Sequence, residues 1–247
     1  MWTWFYKLAS PPHVYRVAGR FVPWCLGLAV PFIVFGLVDG LVFAPPDYQQ
    51  GDAFRIIYVH VPSAWLGMSA YMVMAVSGFI GLVWRMKVAF AVAAASAPIG
   101  ASFTLLTLVT GSIYGRPMWG TYWAWDPRLT SELILLFLYF GVIALRTAFD
   151  DAARGDRAAA LLSIVGAINI PIIHYSVVWW NSLHQGATVA KWGKPAIVMS
   201  MLWPWLAMWV GFNFFYLGVL CLRLQGEILN RERQSTWVRQ LFSRPGL

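Results

Sequence analysis

The chain has few charged residues for its length. Only 11% of its 247 residues are Asp, Glu, Lys or Arg, whereas a soluble domain carries about 25%. At the same time, 60% of the residues are hydrophobic and the mean hydropathy is +0.63. The composition excludes an ordinary soluble domain and predicts a protein embedded in a membrane.

Cysteine is also scarce. The two cysteines, Cys25 and Cys221, lie far apart inside apolar segments, and neither CxxC nor CxxCH occurs. These absences exclude a disulfide framework, a zinc site of the CxxC type and covalent attachment of haem to this chain.

Six segments are apolar enough to cross a bilayer, which requires about 20 mainly apolar residues. They are residues 21–43, 58–84, 92–113, 130–148, 159–181 and 196–222. Backbone groups in lipid must be hydrogen-bonded within their own segment, so we expect six transmembrane helices and an all-α fold. Four prolines inside these spans are expected to mark kinks: Pro31, Pro98, Pro171 and Pro204.

The net charge of +8 is distributed unevenly across the membrane. Thirteen of the 18 Lys and Arg residues fall on the side that holds both termini. The positive-inside rule places that side in the cytoplasm, so loops 44–57, 114–129 and 182–195 face the periplasm of a bacterial inner membrane. Membrane lipids, rather than nucleic acid, explain basic residues in these places. We expect one domain over residues 1–247, with a short basic cytoplasmic tail at about 223–247.

Ionisable side chains are nearly absent from the middle of the predicted spans. Asp39 and Glu132 lie near outer ends, and Arg146 lies near an inner end. Proton and ion pumps usually carry such residues at mid-membrane, so the sequence does not favour a pump. We therefore expect the chemistry to lie in the outer loops.

The second outer loop contains a concentrated run of aromatic residues. Five of the twelve residues 114–125 are aromatic, including Trp119, Trp123 and Trp125. Asp126 and Arg128 follow directly. A flat aromatic surface beside a fixed cation suits a large planar ligand that carries carboxylates, such as haem. The alternative is that these residues belong to the aromatic belt found at membrane interfaces.

Two histidines are predicted to reach the same outer surface. His60 lies where the second span begins, and His184 follows the fifth span. Neutral imidazoles are good axial ligands for haem iron, and two of them could approach opposite faces of one porphyrin. Alternatively, each bonds a backbone carbonyl or water. His174 lies about 15 Å of helix rise before His184, so we expect it to make an interhelical hydrogen bond instead.

Asp126 and Pro127 form a signal for the start of a helix. Asp is a preferred N-cap and Pro is favoured at the first helical position, so we expect the fourth span to begin here, with Glu132 near its positive end. Such a cap would hold Arg128 in place. Arg128 and Arg55 are the expected partners of haem propionates, because a guanidinium can bond a carboxylate bidentately.

The sequence resembles a known family over essentially its whole length. The run WGTYWAWDPRLTSELILLFLYFG resembles the tryptophan-rich WWD signature of haem-handling membrane proteins. Other pieces are similar to the CcmC family of bacterial cytochrome c maturation: FAPPDYQQG, RIIYVHVPSA, GLVWRMK and PIIHYSVVWWNSLHQG. The related CcmF and CcsA types usually have more spans and more histidines, so the CcmC family is favoured.

The resemblance implies a ligand, its binding residues and its partners. CcmC-like proteins hold haem b as non-covalent cargo at the periplasmic face, with axial ligands that correspond to His60 and His184. The WWD signature corresponds to Trp119, Gly120, Trp123, Trp125, Asp126 and Arg128. The family passes haem to the chaperone CcmE and associates with CcmD and the transporter subunits CcmA and CcmB.

These observations together predict a haem-binding handover protein rather than an enzyme, since no nucleophile lies beside a base. Haem would stack on the Trp-rich loop, with its iron on His60 and His184 and its propionates on Arg128 and Arg55. One alternative is a transporter that moves haem across the bilayer. Another is an electron-transfer subunit with haem b inside the bundle, which would need facing histidines at the depth where only His174 is expected.

Overall fold

A computed structural model describes residues 7–180, 182–186, 189 and 196–243. Within these residues all regular structure is helical, apart from one isolated bridge between Asp47 and Gly51. The all-α prediction is confirmed for this part of the chain. Most of the predicted loop 182–195 and the end of the predicted tail lie outside the described residues.

Six helical segments are long and apolar enough to cross a membrane, as predicted. They are Pro11–Phe43, Asp52–Trp84, Lys87–Trp119, Pro127–Thr147, Ala152–Trp179 and Met199–Arg231. The first begins well before residue 21, because prolines occupy its first turn, where a missing N–H costs nothing. The last continues to Arg231, so the first part of the predicted tail is helical.

The first two spans each contain a short helix of a different type near the predicted outer surface. The first consists of α1 (Pro11–Val38) and a π-helical turn (Asp39–Phe43). The second consists of a 3-10 turn (Asp52–Ile56) and α2 (Ile57–Trp84).

The third, fourth and sixth spans are continuous helices, although prolines lie inside the third and the sixth. They are α3 (Lys87–Trp119), α4 (Pro127–Thr147) and α7 (Met199–Arg231). A short helix, α8 (Thr236–Phe242), follows at the inner end.

The fifth span is interrupted near its middle. It consists of α5 (Ala152–Gly166) and α6 (Asn169–Trp179), with a turn between them. Pro171 accounts for the break because it has no N–H to donate to the carbonyl of Ala167, which instead accepts from Ile170 at 3.1 Å. The expected effect of a proline is therefore clearest at this position.

The break changes what the fifth span packs against. α5 packs on both α2 and α4, whereas the main contacts of α6 are with α4 alone. The outer half of the span thus diverges from α2. A cavity lies between α2, α3, α4 and α6, where several of the predicted outer-surface residues meet.

A buried core below this cavity sets the relative height of the central helices. The Tyr139 hydroxyl of α4 donates to the Gly67 carbonyl of α2 at 2.7 Å, and its ring packs edge-on against Tyr71. Both tyrosines are fully buried. A hydrogen bond to a backbone carbonyl in an apolar core fixes the relative height of two helices.

An ion-pair cluster joins three helices at the predicted inner end of the bundle. Arg146 of α4 bonds Glu227 of α7 at 2.6 Å and Asp156 of α5 at 3.2 Å. Arg231 completes the cluster through Asp156 and Glu227. Beyond it, Trp237 of α8 packs against the Tyr15 ring, so this part of the tail contacts the bundle.

Candidate functional site

The structure brings His60 and His184 together. His60 lies in the first turn of α2, and His184 lies in the segment 182–186 that follows α6. Their ring centroids are 6.0 Å apart and their planes differ by 27°. The topology argument predicts both histidines at one surface, and packing makes them neighbours.

The position of the proton on His60 follows from its hydrogen bond to α3. His60 Nδ1 lies 2.9 Å from the Thr110 hydroxyl, which itself bonds the carbonyl of Leu106 at 2.7 Å. The hydroxyl has one proton and directs it to the backbone, so Nδ1–H of His60 donates to Thr110. Nε2 of His60 therefore keeps its lone pair.

His184 carries its proton on the same ring nitrogen as His60, because of a contact within its own segment. His184 Nδ1 lies 3.0 Å from the backbone carbonyl of Gln185. A carbonyl can only accept, so Nδ1 carries the proton and Nε2 is free. Burial, and secondly the positive charge of Arg128, lower the pKa of His184 to about 4. The imidazole is therefore neutral near pH 7, as a metal ligand must be.

A cavity of about 330 Å³ surrounds the two rings. Most of the cavity lining is apolar. A few polar side chains converge on one space within it. The polar and aromatic side chains important here are His60, His184, Trp119, Arg128, Glu132 and His174. A largely apolar cleft with a few convergent polar groups is the usual form of a small-molecule site.

Arg128 is the cation of this cavity. It is the second residue of α4, and its backbone N–H donates to Asp126 Oδ1 at 2.9 Å. Its guanidinium makes no hydrogen bond or ion pair with any residue that the structure describes. The side chain is therefore available to a carboxylate ligand.

Asp126 connects the two halves of the site. As predicted, it is the N-cap of α4. Its second oxygen, Oδ2, accepts from the backbone N–H of Leu183 at 2.8 Å. One buried carboxylate thus holds both the helix that carries Arg128 and the segment that carries His184.

Comparison with known proteins identifies the family of this chain. The family model for CcmC, described as Heme exporter protein C, matches residues 4–239. The chain belongs to the CcmC family. Heme exporter protein C of Escherichia coli K12 is 49% identical over 100% of this chain and 99% of its own length. The protein of the same name from Haemophilus influenzae is 47% identical over 98% of both chains, and that from Paracoccus denitrificans is 36% identical over 95% of this chain and 98% of its own length.

Membership of the CcmC family confirms the resemblance found in the sequence. Matches that cover nearly the whole of both chains, together with six membrane-length helices, make this a multi-pass membrane protein.

The WWD residues of this CcmC-family chain are divided between the cavity and the surface. Trp119 ends α3, lines the cavity, and has its ring centroid 6.5 Å from that of His184. Gly120 follows with φ +77°, a left-handed conformation that ends the helix and turns the chain into the loop. Trp123 and Trp125 pack edge-on against each other, and Trp125 is 78% exposed. These two do not line the cavity.

Arg55 is placed elsewhere. Its Nε bonds Asp52 at 2.9 Å, and its guanidinium also donates to the Gly40 carbonyl at 3.0 Å. These contacts tie the 3-10 turn before α2 to the π-helical turn after α1. Arg55 is not part of the cavity lining. Of the two predicted arginines, only Arg128 lines the cavity that holds the histidine pair.

His174 differs from its prediction. It lines the same cavity, and its ring faces Trp65 edge-on at 6.4 Å and Tyr175 at 4.8 Å. Within the described residues it makes no hydrogen bond, so the expected interhelical hydrogen bond is not seen there.

Sequence reasoning missed two parts of the site. Thr110 has no local signal, because its role depends on the packing of α3 against α2. Glu132 had a signal, since it is a carboxylate inside a span and one helical turn after Arg128, but it was interpreted only as favouring the helix N-terminus. The structure places it in the cavity.

Proposed function

We propose that this protein binds haem at the periplasmic face of the bacterial inner membrane and hands it to the chaperone CcmE during cytochrome c maturation. The observation that carries the proposal is the pair of histidines whose rings lie 6.0 Å apart, each with its Nδ1 hydrogen-bonded and no described residue bonded to its Nε2. Family membership supports it, since the relatives are named Heme exporter protein C.

The spacing of the two rings suits one iron atom between them. A metal–nitrogen bond is about 2 Å long, so two imidazoles on opposite sides of one iron hold their nitrogens about 4 Å apart and their ring centroids farther apart. The observed separation is 6.0 Å. His60 and His184 would thus be the two axial ligands, with orientations supported by Thr110 and Gln185.

The remaining cavity residues suit the rest of the haem. Arg128 lines the cavity and its guanidinium has no bond to a described residue, so it would bind a propionate. Trp119 would contact the porphyrin beside His184. Trp123 and Trp125 would extend the aromatic surface toward the exposed edge of the haem, where CcmE approaches. Arg55 would require release from Asp52 to reach a propionate.

Haem b is non-covalent, transient cargo in this proposal, and the protein is not an enzyme. Both termini are cytoplasmic, which places the cavity and the Trp-rich loop on the periplasmic side. CcmD and the transporter subunits CcmA and CcmB are the proposed partners in the membrane, together with lipids that surround the exposed apolar helix faces.

The visible spectrum of the purified protein tests the ligand assignment. His60→Ala and His184→Ala should each change the Soret band and abolish haem delivery to CcmE. His174→Ala is the matched control, because this histidine lines the same cavity, and it should retain the bis-imidazole spectrum. Loss of that spectrum in His174→Ala, with retention in His60→Ala, would contradict the assignment and favour haem deeper in the bundle.

A further inference from the structure

Two hydrogen bonds attach the segment that carries His184 to other described parts of the chain. The backbone N–H of Leu183 donates to Asp126 Oδ2 at 2.8 Å, and Gln50 Nε2 donates to Gln185 Oε1 at 2.9 Å. His184 lies between these two attachment points. The position of its ring therefore depends on both bonds.

Gln50 also bonds a second wall of the cavity. Its Oε1 accepts from the Tyr114 hydroxyl of α3 at 2.8 Å, and the Tyr114 ring packs edge-on against Trp119 at 5.8 Å. Gln50, Tyr114 and Gln185 all line the cavity. One amide group thus connects the predicted outer loop 44–57, the outer end of α3 and the segment that follows α6.

The backbone turn that carries Gln50 is fixed by Asp47. Asp47 Oδ1 accepts from the backbone N–H groups of Gln49 and Gln50, each at 2.9 Å. Asp47 and Gly51 exchange two backbone hydrogen bonds, at 2.9 and 3.2 Å. Gly51 closes the turn with φ +56°, which glycine adopts without a steric cost. A turn that is already ordered presents the Gln50 side chain at a low cost in conformational entropy.

The two attachment points differ in their contact with water. Asp126 is only 5% exposed, whereas the hydrogen bond between Gln50 and Gln185 lies at the exposed surface. Water competes for an exposed hydrogen bond between neutral groups, while a carboxylate shielded from water holds its donor more firmly. The bond between Gln50 and Gln185 is therefore the weaker of the two and opens first.

We propose that Gln50 is a positioning residue that keeps His184 on the haem iron, and that opening of its bond to Gln185 frees His184 when haem is handed over. While the bond is made, Gln185 is held in place and its carbonyl accepts from His184 Nδ1. When the bond opens, the segment stays attached at Leu183 and turns away with His184. This inference rests on the proposed binding of haem by His60 and His184.

Cyanide binding to ferric haem tests the proposal, because cyanide needs an axial position from which a histidine has departed. The full-length protein and its Gln50→Leu variant are loaded with haem and mixed with excess cyanide, and the change in the Soret band is timed. Gln50→Leu should accelerate cyanide binding about fivefold, equivalent to about 1 kcal/mol. Its Soret band before mixing should remain that of the bis-imidazole form. Transfer of haem to excess apomyoglobin should also be faster in this variant.

Three further variants separate this role from general damage to the outer surface. Gln49→Leu is the matched control, because Gln49 lies on the same turn and its side chain makes no hydrogen bond with a described residue. It should keep both wild-type rates. Gln185→Leu removes the same bond from the other side, so it should accelerate cyanide binding equally, and adding Gln50→Leu to it should have no further effect. Gln185→Glu still offers Gln50 an acceptor and should bind cyanide at the wild-type rate.

Wild-type rates of cyanide binding or of haem transfer in Gln50→Leu overturn the proposal. Equal acceleration in Gln49→Leu, or further acceleration in the double variant, overturns it as well. If Gln50→Leu does not accumulate, Gln185→Leu gives the same test at the other end of the bond. Failure of the proposed function is read separately, from an unchanged Soret band in His60→Ala and His184→Ala.

Discussion

The carboxylate of Asp126 joins two segments that are 57 residues apart in the chain, through a 2.8 Å hydrogen bond to the backbone N–H of Leu183. His184 is the next residue. Because the other oxygen of Asp126 caps α4, the same side chain sets the position of Arg128 relative to His184. The geometry of the site therefore depends on one buried acid.

Replacement of Asp126 should lower haem binding more than it lowers the stability of the fold. Asp126→Ala removes both bonds, and the lost cap alone should cost about 1 kcal/mol of stability. The haem-to-protein ratio of the purified variant should fall, because His184 is no longer held. Asp151→Ala is a matched control, since Asp151 caps α5 at the inner end in the same way. Equal haem ratios in the two variants would contradict the positioning role.

Thr110 should support iron ligation through His60. Thr110→Val keeps the side-chain shape but removes the acceptor for His60 Nδ1–H, and loss of such a support typically lowers metal affinity about 10–100-fold. Haem titration of the purified protein measures this change. Thr110→Ser retains the hydroxyl and should bind as the wild type does. A wild-type affinity in Thr110→Val would show that this hydrogen bond does not orient the ligand.

Haem ligation should resist moderate acid. An ordinary histidine, with a pKa of about 6.5, is mostly protonated below that pH, and the proton then competes with iron for its nitrogen. The pKa of His184 is lowered to about 4, so its neutral form persists and the spectrum should change only as the pH falls toward that value. Arg128→Gln removes one cause of the lowered pKa and should move the change to higher pH. A transition near pH 6.5 in the wild type would count against His184.

The tryptophans should separate into binding and anchoring groups. Ala at Trp119, Trp123 or Trp125 should remove about 1 kcal/mol or more of aromatic contact, lowering haem retention or transfer at normal protein abundance. Trp203 of α7 is 59% exposed and is the anchoring control. Its replacement should affect abundance while leaving haem per protein unchanged. Normal haem retention and transfer in both Trp123→Ala and Trp125→Ala would indicate that the loop anchors the protein at the membrane interface and does not bind haem.

The orientation of the Trp-rich loop is testable by labelling. With Cys25 and Cys221 replaced by Ser, a single Cys at the exposed position Thr121 should react with a membrane-impermeant thiol reagent in intact spheroplasts. A single Cys at Asp150, which is exposed at the inner end, should react only after the membrane is opened. The reverse pattern would invert the topology.

Local patterns accounted for much of the fold. The spans follow from apolar runs, and the start of α4 follows from Asp126 and Pro127, because hydropathy and capping depend on residues close in sequence. The break at Pro171 was foreseen as a kink. Its consequence, the divergence of α6 from α2, was not, because it depends on which neighbouring helices each half contacts.

The sequence by itself determined that this is a six-span membrane protein of the CcmC family with histidines and a Trp-rich loop at one surface. Only the tertiary structure decided that His60 and His184 lie 6.0 Å apart, that Asp126 holds Leu183, and that Arg55 is tied to Asp52 and Gly40. The first group of properties depends on transfer of local segments into lipid. The second depends on packing between segments distant in the chain, which no local pattern specifies.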